Sequence, residues 1–219
     1  MPPGDRKNAE IIRDLTLHAN LCVSSYGSYY RVAGGVKNNP HPFSSVLQSA
    51  LDLGAPVIRV WAGVKSSVEA TEEDFQSVIL ESRELARRAG DVGVKIAFEL
   101  HGGTLTEEIE AATRLLEATH DAGVLIYWQK VVGACPERQK VNLRHLLPYV
   151  ANIHVFQWFP NTERHLLREG IDEWSAYFSL LQQSGKEHWA LLEFVRDDAI
   201  ESFSDDAKVL IKLLKRCAG

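Results

Sequence analysis

The sequence predicts an α/β protein built on parallel strands, and three observations predict it. Apolar runs of strand length alternate with stretches of helical periodicity along the whole chain. Each run is apolar almost throughout, the mark of strands covered on both faces by helices. The runs start near residues 21, 57, 95, 124, 152 and 189, one β/α unit per roughly 27–38 residues. A (β/α)8 barrel of ~250 residues has about that unit size. The 219 residues hold six such units. The expectation is therefore a single domain over residues 1–219, either a parallel TIM-type β/α barrel lacking its two N-terminal strands or an open sheet. A barrel short of two strands exposes two edges and invites association.

Residues 9–19 carry apolar positions at Ile11, Ile12, Leu15 and Ala19, a helix entered from a loose start. Residues 21–23 read as a first strand, left through Ser24 to Arg31; the loop Gly34 to Pro42 follows. Phe43, Val46, Leu47, Ala50 and Leu51 repeat at helical spacing, and Gly54 with Pro56 stops that helix. Residues 57–61 form the next strand. Thr71 and Asp74 cap a long helix that ends at Gly90. A strand at 95–99 precedes Thr104-Leu-Thr-Glu107, which has the form of a capping box for the helix of Ile109, Ala112, Leu115 and Leu116. Gly123 closes it, and residues 124–128 are again strand. A short helix near 142–147, a strand at 152–156 and a helix carrying Trp174, Tyr177, Phe178 and Leu181 follow. A strand at 189–194 leads to the last helix, with Ala207, Leu210, Ile211 and Leu214 inward and Lys212, Lys215 and Arg216 near its C-terminal end.

Hydrophobic residues at 45% and charged residues at 24% are the proportions of an ordinary globular protein. A formal charge of −5 with no basic stripe argues against nucleic acid or an anionic membrane as partner. No apolar run approaches the ~20 residues of a membrane span, and the polar N-terminus has no signal-like segment. Cys22, Cys135 and Cys217 are odd in number, far apart and without metal spacing, as reduced thiols of a cytoplasmic protein are. Cys135 has no obvious activating partner and reads as inert.

Glu99, Gln129, His154 and Glu193 stand at or near the ends of four successive strand-like runs. Buried carboxylates and imidazoles are costly unless paired or metal-bound, and β/α barrels place their chemistry at C-terminal strand ends. Two carboxylates, an imidazole and an amide oxygen are donors that hold a divalent Mn, Mg, Zn or Co ion. An isolated Glu at a strand end is more often a loop anchor, and His154 could equally be a core histidine; recurrence on four strands favours a shared polar site. Gly102-Gly103 reads as a tight turn, with a phosphate cradle as the less favoured alternative. Residues 26–30 with Gly34-Gly35 are either a mobile lid or an irregular loop.

Ile58-Arg-Val-Trp-Ala-Gly63, Phe98-Glu-Leu-His-Gly-Gly103, Tyr127-Trp-Gln129, Asn152-Ile-His-Val-Phe-Gln-Trp158 and Leu191-Leu-Glu-Phe-Val195 follow one another in an order that resembles the xylose isomerase-like TIM barrels, the sugar phosphate isomerase/epimerase superfamily. The resemblance covers roughly Leu17 to Leu214. It implies a metal held by Glu99, Gln129, His154 and Glu193, with Gln129 standing where the family usually has Asp. It implies Glu99 and Glu193 as the acid/base pair and His101, Arg59, Trp61 and Arg196 near a small sugar-like substrate. The implied activity is metal-assisted isomerisation or epimerisation of a sugar, sugar phosphate or polyol. A non-catalytic or impaired sugar-binding barrel is the alternative, motivated by Gln129 and by the two strands the expected barrel lacks. An abasic-site endonuclease is a poorer match, because that branch needs more His and Asp ligands and a basic face.

Overall fold

The computed structural model describes residues 1–217, with the side chain of Cys217 outside the described part. In chain order the elements are α1 (Arg6–His18), β1 (Tyr26–Val32), α2 (Gly35–Asn38), α3 (Phe43–Leu53), β2 (Val57–Ala62), α4 (Glu72–Gly90), β3 (Lys95–Glu99), α5 (Ile109–Ala118) and β4 (Leu125–Trp128). They continue with α6 (Pro136–Leu146), β5 (Val150–Val155), β6 (Gln157–Trp158), β7 (Arg164–His165), α7 (Ile171–Gln182), β8 (Trp189–Leu192) and α8 (Ile200–Cys217). The chain divides into two compact units, Met1–Ile126 and Tyr127–Gly219. Among the described residues, no helix is long and apolar enough to cross a membrane.

In the first unit β1, β2 and β3 lie side by side and pair in parallel. Val57, Ile58, Val60 and Ala62 of β2 are buried, as are Ile96, Ala97 and Phe98 of β3. Strands of this kind bury both faces, which is why their sequence is apolar without alternation. The register aligns Val60 with Phe98, so the next pair along is Trp61 and Glu99. Phe43, Val46 and Ala50 are the buried face of α3, and Gly54 ends it at φ +71, a left-handed conformation that glycine adopts without steric cost. Thr71 and Asp74 form a reciprocal capping box on α4, whose first turn is acidic and last turn basic, matching the helix dipole.

In the second unit β5 pairs in parallel with β8, Asn152 opposite Trp189 and Val155 opposite Leu192. Trp174 and Tyr177 on the buried face of α7 pack with Trp128, and Phe178 packs with Trp174. On α8 the buried apolar positions are Leu210 and Leu213.

Several expectations are corrected. The first strand is Tyr26–Val32, not residues 21–23; Leu21 is exposed, whereas Tyr26, Ser28 and Val32 are buried. Residues 26–30 are consequently neither lid nor loop. Three tyrosines in five residues suit a strand, but the glycine and serine among them mimic a turn. Ile211 and Leu214 are exposed, so the inward stripe of α8 runs through Leu210 and Leu213 instead. The helix expected near 142–147 begins earlier, at Pro136, where proline loses no hydrogen bond. The antiparallel pair of β6 and β7 was not anticipated at all.

Gly170 marks a close approach in the second unit. A Cβ there would lie 2.2 Å from Oε1 of Gln157, the oxygen that accepts from Trp174 Nε1 and Lys130 Nζ, each at 3.3 Å. Gly170→Ala is expected to destabilise the protein by about 1–3 kcal/mol through overpacking, read as a lower urea midpoint with an unchanged m-value. An unchanged midpoint would mean that Gln157 moves aside without cost.

Candidate functional site

In the first unit the site begins with a buried charge. Glu99, 4% exposed, ends β3. Its carboxylate receives Nη1 of Arg59 at 3.1 Å on Oε1 and 3.0 Å on Oε2, and Nε1 of Trp61 at 2.5 Å on Oε2. Both partners come from β2, on alternate positions of the strand, and so share one of its faces. Trp61 in turn lies 4.4 Å from the His101 ring and 4.3 Å from the Arg31 guanidinium, with Tyr29 edge-on at 5.3 Å. His101 Nδ1 is 2.7 Å from the carbonyl oxygen of Gly102.

The loop after β3 is fixed by residues with no apolar signature. Thr106 Oγ1 donates to the Glu99 carbonyl at 2.5 Å, and Thr104 Oγ1 donates to the His101 carbonyl at 2.7 Å; both threonines are fully buried. Glu107 is not the partner of Thr104 in a capping box. Its carboxylate accepts from the Ser67 N–H and the Gly103 N–H, and from the Ser67 hydroxyl at 3.1 Å, while Glu108 takes the N-cap position of α5. The Gly103 amide that a phosphate would need is thereby occupied.

In the second unit His154, 4% exposed, lies on β5. Its Nδ1 is 2.8 Å from Oε1 of Gln129 and 3.2 Å from Oε2 of Glu193. Gln129 follows directly on β4. Glu193 follows β8, and its N–H donates to the Val155 carbonyl, which extends the ladder one residue and sets it beside His154. A ring nitrogen and two oxygens converge on one spot, where either an Nδ1–H that donates to the oxygens or a cation bound by all three atoms satisfies them. The donor set thus fits a divalent metal.

The segment that carries Glu193 is strained. Phe194, Asp197 and Asp198 have φ of +50, +60 and +49, conformations that cost non-glycine residues roughly 1–3 kcal/mol each. Phe194 is held by the Trp158 ring at 4.9 Å and the Phe156 ring at 5.7 Å, and Arg164 ties the turn through the Val195 carbonyl and Asp198. Such strain clusters where a side chain must be aimed. Arg196 lies in the same turn, its Nε 3.4 Å from Asp197.

The model of the family described as xylose isomerase-like TIM barrel matches residues 3–217. The chain belongs to this family. The fold class expected from the sequence is the family's own, and solved structures of xylose isomerase-like proteins agree. A probable 3-DHS dehydratase, AsbF of Bacillus anthracis, involved in petrobactin synthesis, superposes with a TM-score of 0.73 at 15% identity, over 94% of this chain and 81% of that one. A xylose isomerase-like TIM barrel protein of Mycobacterium smegmatis, solved with magnesium, gives 0.73 at 16% identity, over 97% and 79%. A D-allulose 3-epimerase of Methylomonas sp., solved with D-allulose, gives 0.70 at 12% identity, over 97% and 84%. At such identities the likeness is one of fold. A search of curated protein sequences finds no match.

The sequence singles out Glu99, Gln129, His154 and Glu193, and the structure brings the last three together within the second unit. It pairs Arg59 and Trp61 with Glu99 rather than leaving them open. It missed Thr104 and Thr106, whose role is through backbone carbonyls and leaves no residue pattern. Burial raises the Glu107 pKa, but the N–H groups of Gly103, Ser67 and Val68 and the Ser67 hydroxyl outweigh it, so the net value falls below the ordinary carboxylate range. A depressed folded-state pKa stabilises above the unfolded value of about 4.3 and is lost as pH falls through the folded one. Glu107→Gln should therefore cost about 1–2 kcal/mol at pH 7 and nearly nothing at pH 3, measured by thermal melts at both pH values. An equal loss at both would exclude an ionic role.

Proposed function

We propose that the protein is a divalent-metal-assisted isomerase or epimerase of a small polyhydroxylated carbonyl compound, a sugar or polyol-derived ketone. The observation that carries the reading is the convergence of Gln129, His154 and Glu193 in the second unit, each at or just past the C-terminal end of a strand. His154 and Glu193 would hold the metal, with Gln129 adding an amide oxygen. A metal bound there supplies Lewis-acid polarisation of a substrate carbonyl and its neighbouring hydroxyl.

The residues of the chain do the rest. Glu193 takes the proton from the carbon next to the carbonyl, and Glu99 is the second carboxylate of the acid/base pair that the family resemblance implies. Arg59 and Trp61 fix the orientation of the Glu99 carboxylate through three short contacts. Arg196 lies in the strained turn just after Glu193 and is the substrate-binding cation of the second unit, and His101, stacked on Trp61, is the hydroxyl partner that the resemblance implies. The magnesium of the M. smegmatis neighbour and the D-allulose of the Methylomonas epimerase support this assignment of metal and substrate class.

The neutral amide of Gln129 supports a second reading, a sugar-binding barrel without turnover, since an amide holds a hard cation less well than a carboxylate. One experiment separates the two. The purified protein, analysed for metal and incubated with ketohexoses in D2O, is expected to contain stoichiometric metal. It should also wash deuterium into the carbon next to the carbonyl. Glu193→Gln should lose metal and slow the exchange by about 10²-fold or more. Absence of exchange with saturating Mn, Mg, Zn or Co would overturn catalysis and leave the binding reading.

A further inference from the structure

The second unit contains a cleft that the acid/base reading does not use. It has a volume of about 320 Å³, at the lower end of the ~300–1,000 Å³ of small-molecule sites. It opens beside the ends of β4 and β5, next to Gln129 and beyond His154 on the same strand. Phe156, Trp158, Phe159, Val131 and Val132 supply its apolar lining. The floor is polar: Lys130, 9% exposed, places Nζ 2.9 Å from Oε2 of Glu173.

We propose that this cleft is the subsite for a neutral hydroxylated ring, the part of the substrate remote from the reacting carbon. The proposal rests on the reading above for where that carbon lies. Aromatic walls favour a ring with an apolar face. The floor then decides between charged and neutral ligands. An anion drawn to Lys130 meets Glu173, and a cation drawn to Glu173 meets Lys130. A hydroxyl suits both, accepting from the ammonium and donating to the carboxylate.

The cleft is also preformed. The Gln139 amide is fully engaged with the Val131 N–H at 3.0 Å, the Val131 carbonyl at 2.6 Å and the Ala134 carbonyl at 3.3 Å. The loop facing the aromatic side is therefore held in place before any ligand arrives, which lowers the ordering cost of binding. A ring of this chemistry belongs to a sugar or to a phenol.

Cys135 lines the cleft and is exposed, and Cys22 is exposed in the other unit. Iodoacetamide alkylation followed by peptide mapping therefore reports occupancy, with Cys22 as the internal control. The probes are methyl glucoside and catechol, each added to EDTA-treated protein so that no result depends on metal. At least one probe is expected to slow alkylation of Cys135 several-fold and leave Cys22 unchanged; which one does so identifies the source of the ring. Phe159→Ala, at a 65% exposed position, and Glu173→Gln should each abolish the protection. Phe159→Ala keeps the test valid if the buried pair proves necessary for folding. Protection by neither probe, protection that survives Phe159→Ala, or equal protection by inorganic phosphate would overturn the proposal. Protection without any bound metal in the untreated protein would uphold the cleft and defeat the metal reading alone.

Discussion

A carboxylate that is 4% exposed at the end of an apolar strand is the constraint on which the first unit depends. Glu99 could not be buried as an anion without compensating partners, because desolvation of an unpaired charge costs several kcal/mol. The strand beside it supplies them, a guanidinium and an indole N–H two residues apart. That requirement explains why β2 carries Arg59 and Trp61 inside an otherwise apolar run, and why the parallel register must hold to the residue. A slip of one position would turn both partners to the other face. Trp61, so engaged, becomes the platform for His101, Arg31 and Tyr29.

Most of the architecture was legible because its signals are local and redundant. The helix Glu72–Gly90 has a capping box, a charge gradient and an apolar stripe, and β2 is a short, mostly apolar run with Val57, Ile58 and Val60 between a proline and a glycine. Where the sequence misled, one signal was weighed against another of similar strength. Tyr26–Val32 contains residues that turns also use, and only its pairing with β2 makes it a strand. In α8 the 3.6-residue period fits two adjacent stripes, and packing alone selects the one through Leu213.

The site was legible at its ionisable ends and opaque in its supports. An acidic or imidazole side chain inside an apolar run stands out as a cost that something must offset, and that is what singles out Glu99, His154 and Glu193 in the sequence. Thr104 and Thr106 act by donating to carbonyls, a role any loop threonine could have. Glu107 was noticed for the right spacing and assigned the wrong partner, since a carboxylate four residues after Gly103 reaches backbone N–H groups as readily as an N-cap. The positive φ values of Phe194, Asp197 and Asp198 have no sequence counterpart at all; they are visible only as backbone geometry.

Glu107 also has a topological meaning. By joining Gly103 to Ser67, positions separated in sequence by a whole helix and strand, it closes a loop of the chain without a covalent bond. Closing such a loop removes conformational freedom from two connections at once, as a crosslink would. A thiol pair would make the same closure subject to oxidation and reduction, whereas a carboxylate fastened to amides answers only to protons. The two loops that flank Trp61 and His101 are thus stapled by a clasp that is indifferent to redox conditions and that acid alone can undo.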